Sequence, residues 1–310
     1  MSLGNSDIDQ TLVRENRWGW WRLQRKATPY LFIAPYFIIF AAFFLGPALF
    51  AFYAGFHDWS LLGKMKPVGL KNFRLLLNDD TFWQSVGNTL YYIGSALVLQ
   101  WPLALLFAVV LNRKRLPGKR IFTPVYFIPN LTSTVVVAIV FVLLLDKTYG
   151  LLNLPLTALG FEPINWLGSR EMSKPAVILL LVWRWTGYNM VLFLSSLQAI
   201  PLELYEAAWV DGANKRQAFF RLTIPLLRPA IAYIMIMGII GGWQIFNEPY
   251  MLTSGGPADS SLSVANYLYR VSITNLRMGY GSALGTVLFI VVFIISIIQM
   301  RFFGIYGEEV

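Results

Sequence analysis

Residues Pro175–Ala199 read PAVILLLVWRWTGYNMVLFLSSLQA, 25 residues with a single charge, Arg184. As a helix rising 1.5 Å per residue the run is about 37 Å long, more than the roughly 30 Å hydrocarbon core of a bilayer. It reads as a membrane span. Five further runs pass the same test without any charged residue: Tyr30–Phe56, Val86–Leu111, Ile121–Leu145, Pro229–Asn247 and Met278–Met300. The expected fold is all-α, with six transmembrane helices spread over residues 30–303 as one domain.

Composition points the same way. Of the 310 residues 56% are hydrophobic and only 13% charged, whereas soluble domains carry about 25% charged residues. There is no cysteine and one histidine, His57. Disulfides, thiolate metal sites, Cys nucleophiles and His-based metal clusters are thereby excluded. The net charge of +9 would suit nucleic acid. In a membrane protein, however, basic residues gather in cytoplasmic loops.

Counting those loops sets the orientation. One side collects Arg14, Arg17, Arg22, Arg25, Lys26, the cluster Arg113-Lys114-Arg115 with Lys119 and Arg120, then Lys215, Arg216, Arg221, Arg228 and Arg301. The other collects Lys64, Lys66, Lys71, Arg74, Lys147, Arg170, Lys174, Arg270 and Arg277. The bias puts both termini in the cytoplasm, with residues 1–29 and 304–310 as tails, and accounts for much of the basic excess without nucleic acid. Trp18, Trp20 and Trp21 among the arginines predict a short interfacial segment. The first apolar run is too long for a signal-peptide core and is expected to be retained. The outer loop 57–85 is expected to hold a short amphipathic helix.

Catalytic equipment is missing. No stretch matches the phosphate-binding loop G-x-x-x-x-G-K-[ST]; Gly118-Lys119-Arg120 lacks the upstream glycine and the hydroxyl residue. Paired intramembrane carboxylates, the usual relay of a proton-driven transporter, are absent as well.

The segment after the fourth run, residues 200–228, reads as two short helices at a sharp turn. Pro201 suits the first helical position. Leu202, Tyr205 and Trp209 recur at helical spacing, and Gly212 stands where a helix end wants a left-handed residue. Asn214 followed by Gln217 is a capping-box pattern, and Pro225 should stop the second helix. Phe219 and Phe220 beside basic residues fit a docking surface for a protein partner. An amphipathic helix resting on the bilayer fits the same pattern.

Glu206-Ala207-Ala208, then Gly212, then Ile224-Pro225-Leu226 resemble the EAA motif of bacterial ABC importer permeases. The fuller run Ile200–Ala213 resembles the carbohydrate-uptake branch, as do Gly69–Phe73 with Asn88-Thr89, Phe127-Ile128-Pro129 and Thr253–Pro257. The chain is similar to the first of the two permeases, as in the maltose and glycerol-phosphate systems. This resemblance implies a coupling helix that fits a cleft on an ATPase, with Glu206, Ala207, Ala208, Asp211, Gly212 and Ala213 as the elbow and Phe219, Phe220 and Pro225 beside it. It also implies a second homologous permease, an ATPase dimer that holds the ATP and magnesium, an extracytoplasmic solute-binding protein and a sugar cargo. The chain itself would be non-catalytic, without cofactor or metal, in the bacterial inner membrane. Asn247 departs from the pattern, since relatives often have Asp there.

Sugars need aromatic faces and hydrogen-bonding groups. Trp183, Arg184, Gly187, Tyr188 and Asn189 on the fourth run and Gly242, Trp243, Gln244, Asn247 and Glu248 on and after the fifth supply them. Arg184 lies roughly 14 Å from the outer end of its run and Trp243 roughly 21 Å from the inner end of its own, so their depths nearly coincide. Trp183, Trp243 and Gln244 are expected to contact cargo. Trp185 and Tyr188 also suit interfacial anchoring, and Gly241-Gly242 suits close helix packing. Arg184 at that depth needs a partner or a wet cavity, and Glu248 is the nearest acid. Glycerol phosphate or a polyamine as cargo, and a stand-alone secondary transporter, are the alternatives.

Overall fold

In a computed structural model, residues 28–113 and 116–304 are described. The interfacial segment expected around Trp18–Trp21 and the tail beyond Gly304 lie outside them. The chain divides after Ala54 into two units. The first holds helix α1, Thr28–Ala54, 27 residues and strongly apolar on average.

The second unit begins with a small ribbon in which β1 (His57–Asp58) pairs antiparallel with β2 (Lys66–Pro67). Buried Asn72 donates its side-chain amide to the carbonyls of Gly55 and His57, both at 2.9 Å, and pins the ribbon to helix α2, Lys71–Leu77, the short outer-loop helix expected from the sequence. Asp79 then caps helix α3, Asp80–Leu111, accepting from the amides of Thr81 and Phe82.

The third apolar run is not one rod. It forms α4 (Lys119–Leu131) and α5 (Thr134–Leu144), bent by 98° at Thr132-Ser133, where the backbone is extended. Pro129 cannot donate within the helix, and the Thr132 hydroxyl donates to the Ile128 carbonyl at 3.0 Å, which helps terminate α4. After a loop organised by Asn153, whose side chain bonds Asp146, Lys147, Ile164 and Trp166, comes α6, Leu154–Ala158. Helix α7, Ser173–Gln198, is the most buried span.

Helices α8 (Leu202–Val210) and α9 (Lys215–Leu226) follow, then α10 (Arg228–Trp243), bent by 60° from α9. The fifth run ends at Trp243, short of the Asn247 expected from hydropathy, and α11, Asn247–Thr253, starts afresh. Helix α12, Val264–Tyr269, and the long α13, Met278–Phe302, complete the chain. Four helices are unbroken and long and apolar enough to cross a membrane, and the number rises to as many as six if each of the two bent pairs is one span.

Three of the helices share one backbone device. A wide π-turn closes on the residue just before a proline: Gly46 bonds the Ala41 carbonyl before Pro47, Trp101 bonds Ala96 before Pro102, and Ile224 bonds Phe219 before Pro225. A proline ring clashes with the carbonyl four residues back, and widening the turn removes that contact without ending the helix. This is why Pro225 does not stop α9, which continues to Leu226.

The core lies where α7 meets its neighbours. Val177, Leu180 and Leu181 pack against Phe141 and Leu145 at one end. Met190, Phe193 and Leu197 pack against Trp101, Ala104 and Ala108 at the other.

Candidate functional site

One face of α7 carries residues at positions 181, 184, 185, 188, 189 and 192, a three-and-four spacing that lines up a single stripe. That stripe borders a cavity of about 540 Å³. Tyr92, Gln100 and Trp101 of α3, Thr134 at the start of α5, Tyr233, Gly238, Gly241 and Gly242 of α10, and residues 244–248 close it. Its wall mixes aromatic faces with amides and hydroxyls. Its volume falls in the range of small-molecule pockets, about 300 to 1,000 Å³.

The Arg184 side chain is buried, with Nε 3.8 Å from Oε1 of Glu248, which is buried too. The same carboxylate oxygen accepts from Trp185 Nε1 at 3.2 Å. The Arg184 guanidinium also lies over the Trp185 ring at 5.9 Å, and Trp185 meets Tyr188 edge-on at 6.0 Å. Arg184 therefore has the acid its depth demanded.

Of the residues singled out in the sequence, Arg184, Tyr188, Asn189, Gly242, Gln244, Asn247 and Glu248 meet at this cavity. Trp183, Gly187 and Trp243 do not line it. Trp183 is turned toward Phe141, ring to ring at 5.4 Å, on the same face as Gly187. Trp243 is buried among Phe82, Leu262, Tyr267 and Leu284. Equal depth sets height in the bilayer and leaves open which face of a helix a side chain occupies. Tyr92, Gln100, Thr134 and Tyr233 were missed. Gln100 and Thr134, polar residues within apolar runs, were the available signal.

The second feature is the turn between α8 and α9. Gly212 has φ +82° and its amide donates to the Trp209 carbonyl at 3.1 Å, while Ala213 donates to Ala208 at 2.9 Å. That pair of bonds is the Schellman closure, which satisfies carbonyls a helix end leaves free. Asn214 and Gln217 form the reciprocal capping box, both bonds at 2.9 Å. Tyr205 and Thr223 join the two helices through their hydroxyls at 2.9 Å. Pro201 stands at the cap, one residue ahead of the first helical position. Glu206, Ala207, Asp211, Gly212, Phe220 and Pro225 are exposed; Ala208, Ala213 and Phe219 are half-buried. Trp209 and Val210 add exposed apolar surface, Val210 being 88% exposed.

Residues 100–304 match the family of binding-protein-dependent transport system inner membrane components. The chain belongs to this family. It is a multi-pass membrane protein and the spanning component of an ABC transport system of the type I permease fold. It is 40% identical to the arabinooligosaccharides transport system permease protein of Bacillus subtilis (strain 168), over 94% of each chain. It is 33% identical to the lactose transport system permease protein of Rhizobium radiobacter, over 87% of this chain and 92% of that one. Its fold matches a chain of a bacterial alginate ABC transporter solved in complex with an alginate pentasaccharide-bound periplasmic protein, with a TM-score of 0.79 at 24% identity, covering 91% of this chain and 96% of that one.

Proposed function

We propose that this permease forms half of the translocation path of an ATP-driven oligosaccharide importer in the bacterial inner membrane, and that the cavity beside α7 is its cargo path. The observation that carries the reading is the cavity itself: aromatic faces from Trp101, Trp185 and Tyr188 and polar groups from Gln100, Asn189, Gln244 and Asn247 around one space. Such a wall offers C–H stacking and directional hydrogen bonds, the two things a hydrated sugar exchanges for water. The sugar-transporting relatives support the cargo class.

Coupling runs through residues 200–228. The exposed Glu206–Ala213 elbow docks on an ATPase, Glu206 meeting a basic group there, with Phe219, Phe220 and Pro225 flanking the contact. ATP and magnesium belong to that ATPase dimer. A second homologous permease supplies the other half of the path, and a solute-binding protein delivers cargo to the side opposite the basic loops. Both termini then face the cytoplasm.

Proteoliposomes holding this chain with a second permease and an ATPase, given a binding protein, are expected to accumulate arabinotriose only when ATP is present on the ATPase side. Tyr188→Ala or Gln244→Ala should slow uptake while the complex still assembles. Full uptake by both variants would remove the cavity from the path. Reporter fusions at Gly304 and within residues 57–85 are expected to read opposite sides, and the same side for both would overturn the orientation.

A further inference from the structure

Arg184 and Glu248 do more than neutralise each other. Their contact of 3.8 Å exceeds hydrogen-bond reach, and Glu248 Oε1 is already taken by the Trp185 indole at 3.2 Å. Arg184 Nε and Nη1 are consequently buried with no hydrogen-bond partner, on a side chain 9% exposed. Unpaired donors on a buried cation are among the most unfavourable polar arrangements in a membrane, and in natural proteins they mark sites of function. Both residues face the cavity, and among its described lining residues they are the only charged ones. The partnerless Nε and Nη1 are themselves shielded, so the cavity meets the pair through the small exposed remainder of each side chain, 9% for Arg184 and 8% for Glu248: a cation short of hydrogen bonds, an anion a few ångströms away, and no net charge.

Resting on the reading of this cavity as the cargo path, we propose that Arg184 and Glu248 are a specificity-determining pair that admits uncharged oligosaccharides and rejects carboxylated ones. A sugar hydroxyl is both acceptor and donor, so it can take an N–H from Arg184 and give its own proton to Glu248. A cargo carboxylate can only accept. It satisfies Arg184 but stands beside the Glu248 carboxylate in poorly screened surroundings, where like charges repel far more than in water. Glu248 is buried and accepts from the Trp185 indole, whose ring meets Tyr188 edge-on and lies under the guanidinium, which limits its freedom to withdraw.

The test uses the assembled transporter in lipid nanodiscs without binding protein, so that discrimination is read at the permease. Probes are arabinotriose and the aldonate made by oxidising its reducing end, compared by calorimetry. Wild type is expected to hold arabinotriose at least tenfold more tightly than the aldonate. Glu248→Gln should narrow that ratio tenfold or more by leaving the wall net positive. Equal binding of the two probes by wild type overturns the proposal without any variant. So does an unchanged ratio in Glu248→Gln complex that purifies intact. Binding of neither probe by wild type overturns the cargo-path reading itself, and this proposal with it.

Discussion

Gly187 packs so closely on Tyr126 that a Cβ at Gly187 would lie 1.7 Å from the Tyr126 carbonyl oxygen. The obstacle is backbone, which cannot rotate away, so α7 and α4 meet here only because this residue has no side chain. Gly187→Ala is expected to drive the two helices apart at a cost of about 1–3 kcal/mol or more. The yield and thermal midpoint of the purified transporter should both fall. An unchanged midpoint with impaired uptake would return Gly187 to the cargo path.

Trp243 and Tyr188 separate packing from transport. Trp243 is 5% exposed in an apolar cluster, and truncating such a side chain typically costs about 3–5 kcal/mol. Trp243→Ala should therefore lower stability first and uptake only as a consequence. Tyr188→Ala, at a half-buried position on the cavity wall, should lower uptake with little change in midpoint. Thermal melts and uptake rates on the same preparations decide between them.

Gly212 has open space around its missing Cβ, so a substitution there meets conformational strain alone. Holding a β-branched residue at φ +82° costs about 1–2 kcal/mol or more. Gly212→Val should loosen the elbow, weaken ATPase capture in pull-downs and reduce uptake, while insertion in the membrane persists. Gly212→Asn, which tolerates the left-handed conformation, should restore most of both. Equal behaviour of the two variants would show that the turn geometry is not what the partner reads.

Asp79 predicts a pH dependence. Burial alone would push its carboxyl up, but hydrogen bonds from the hydroxyls of Tyr267 and Tyr280 and the amides of Phe82 and Thr81 outweigh it and hold the carboxyl below its ordinary 3.8. The Tyr267 hydroxyl, pushed up to about 12 chiefly by its burial, remains a donor throughout the neutral range. A carboxyl depressed in the folded state adds stability above its unfolded value, and loses it as pH falls through the folded one. Thermal midpoints should thus drop below about pH 4. Asp79→Ala should remove that part of the pH dependence and, by loss of the cap on α3, cost about 0.5–2 kcal/mol at neutral pH. A parallel acid profile in variant and wild type would assign the effect elsewhere.

Local chemistry was legible from the chain alone. The Gly212 end, the Asn214–Gln217 box and the helix in the loop 57–85 formed as their residue types require, because caps and turns are settled by neighbours within a few positions. The breaks were less legible. Hydropathy treats Ile121–Leu145 as continuous, since it weighs side chains and ignores whether Thr132 and Ser133 have helical backbone. Prolines misled in the other direction, because Pro225 is absorbed by a π-turn that no composition signal announces.

Membrane class and the helical fold were determined by the sequence itself, because transfer from water to lipid depends on residue type summed along a run. Which side chains share the cavity was decided only in the tertiary structure. Arg184 and Glu248 are 64 positions apart and meet because α10 ends at Trp243 and α11 restarts at Asn247, aiming the acid back at α7. Of Trp183 and Trp243, equally suited by depth and chemistry, helix rotation buries Trp243 in an apolar cluster and turns the half-exposed Trp183 toward Phe141, off the cavity wall. That rotation is fixed by close contacts such as Gly187 on Tyr126, between segments that sequence order leaves far apart.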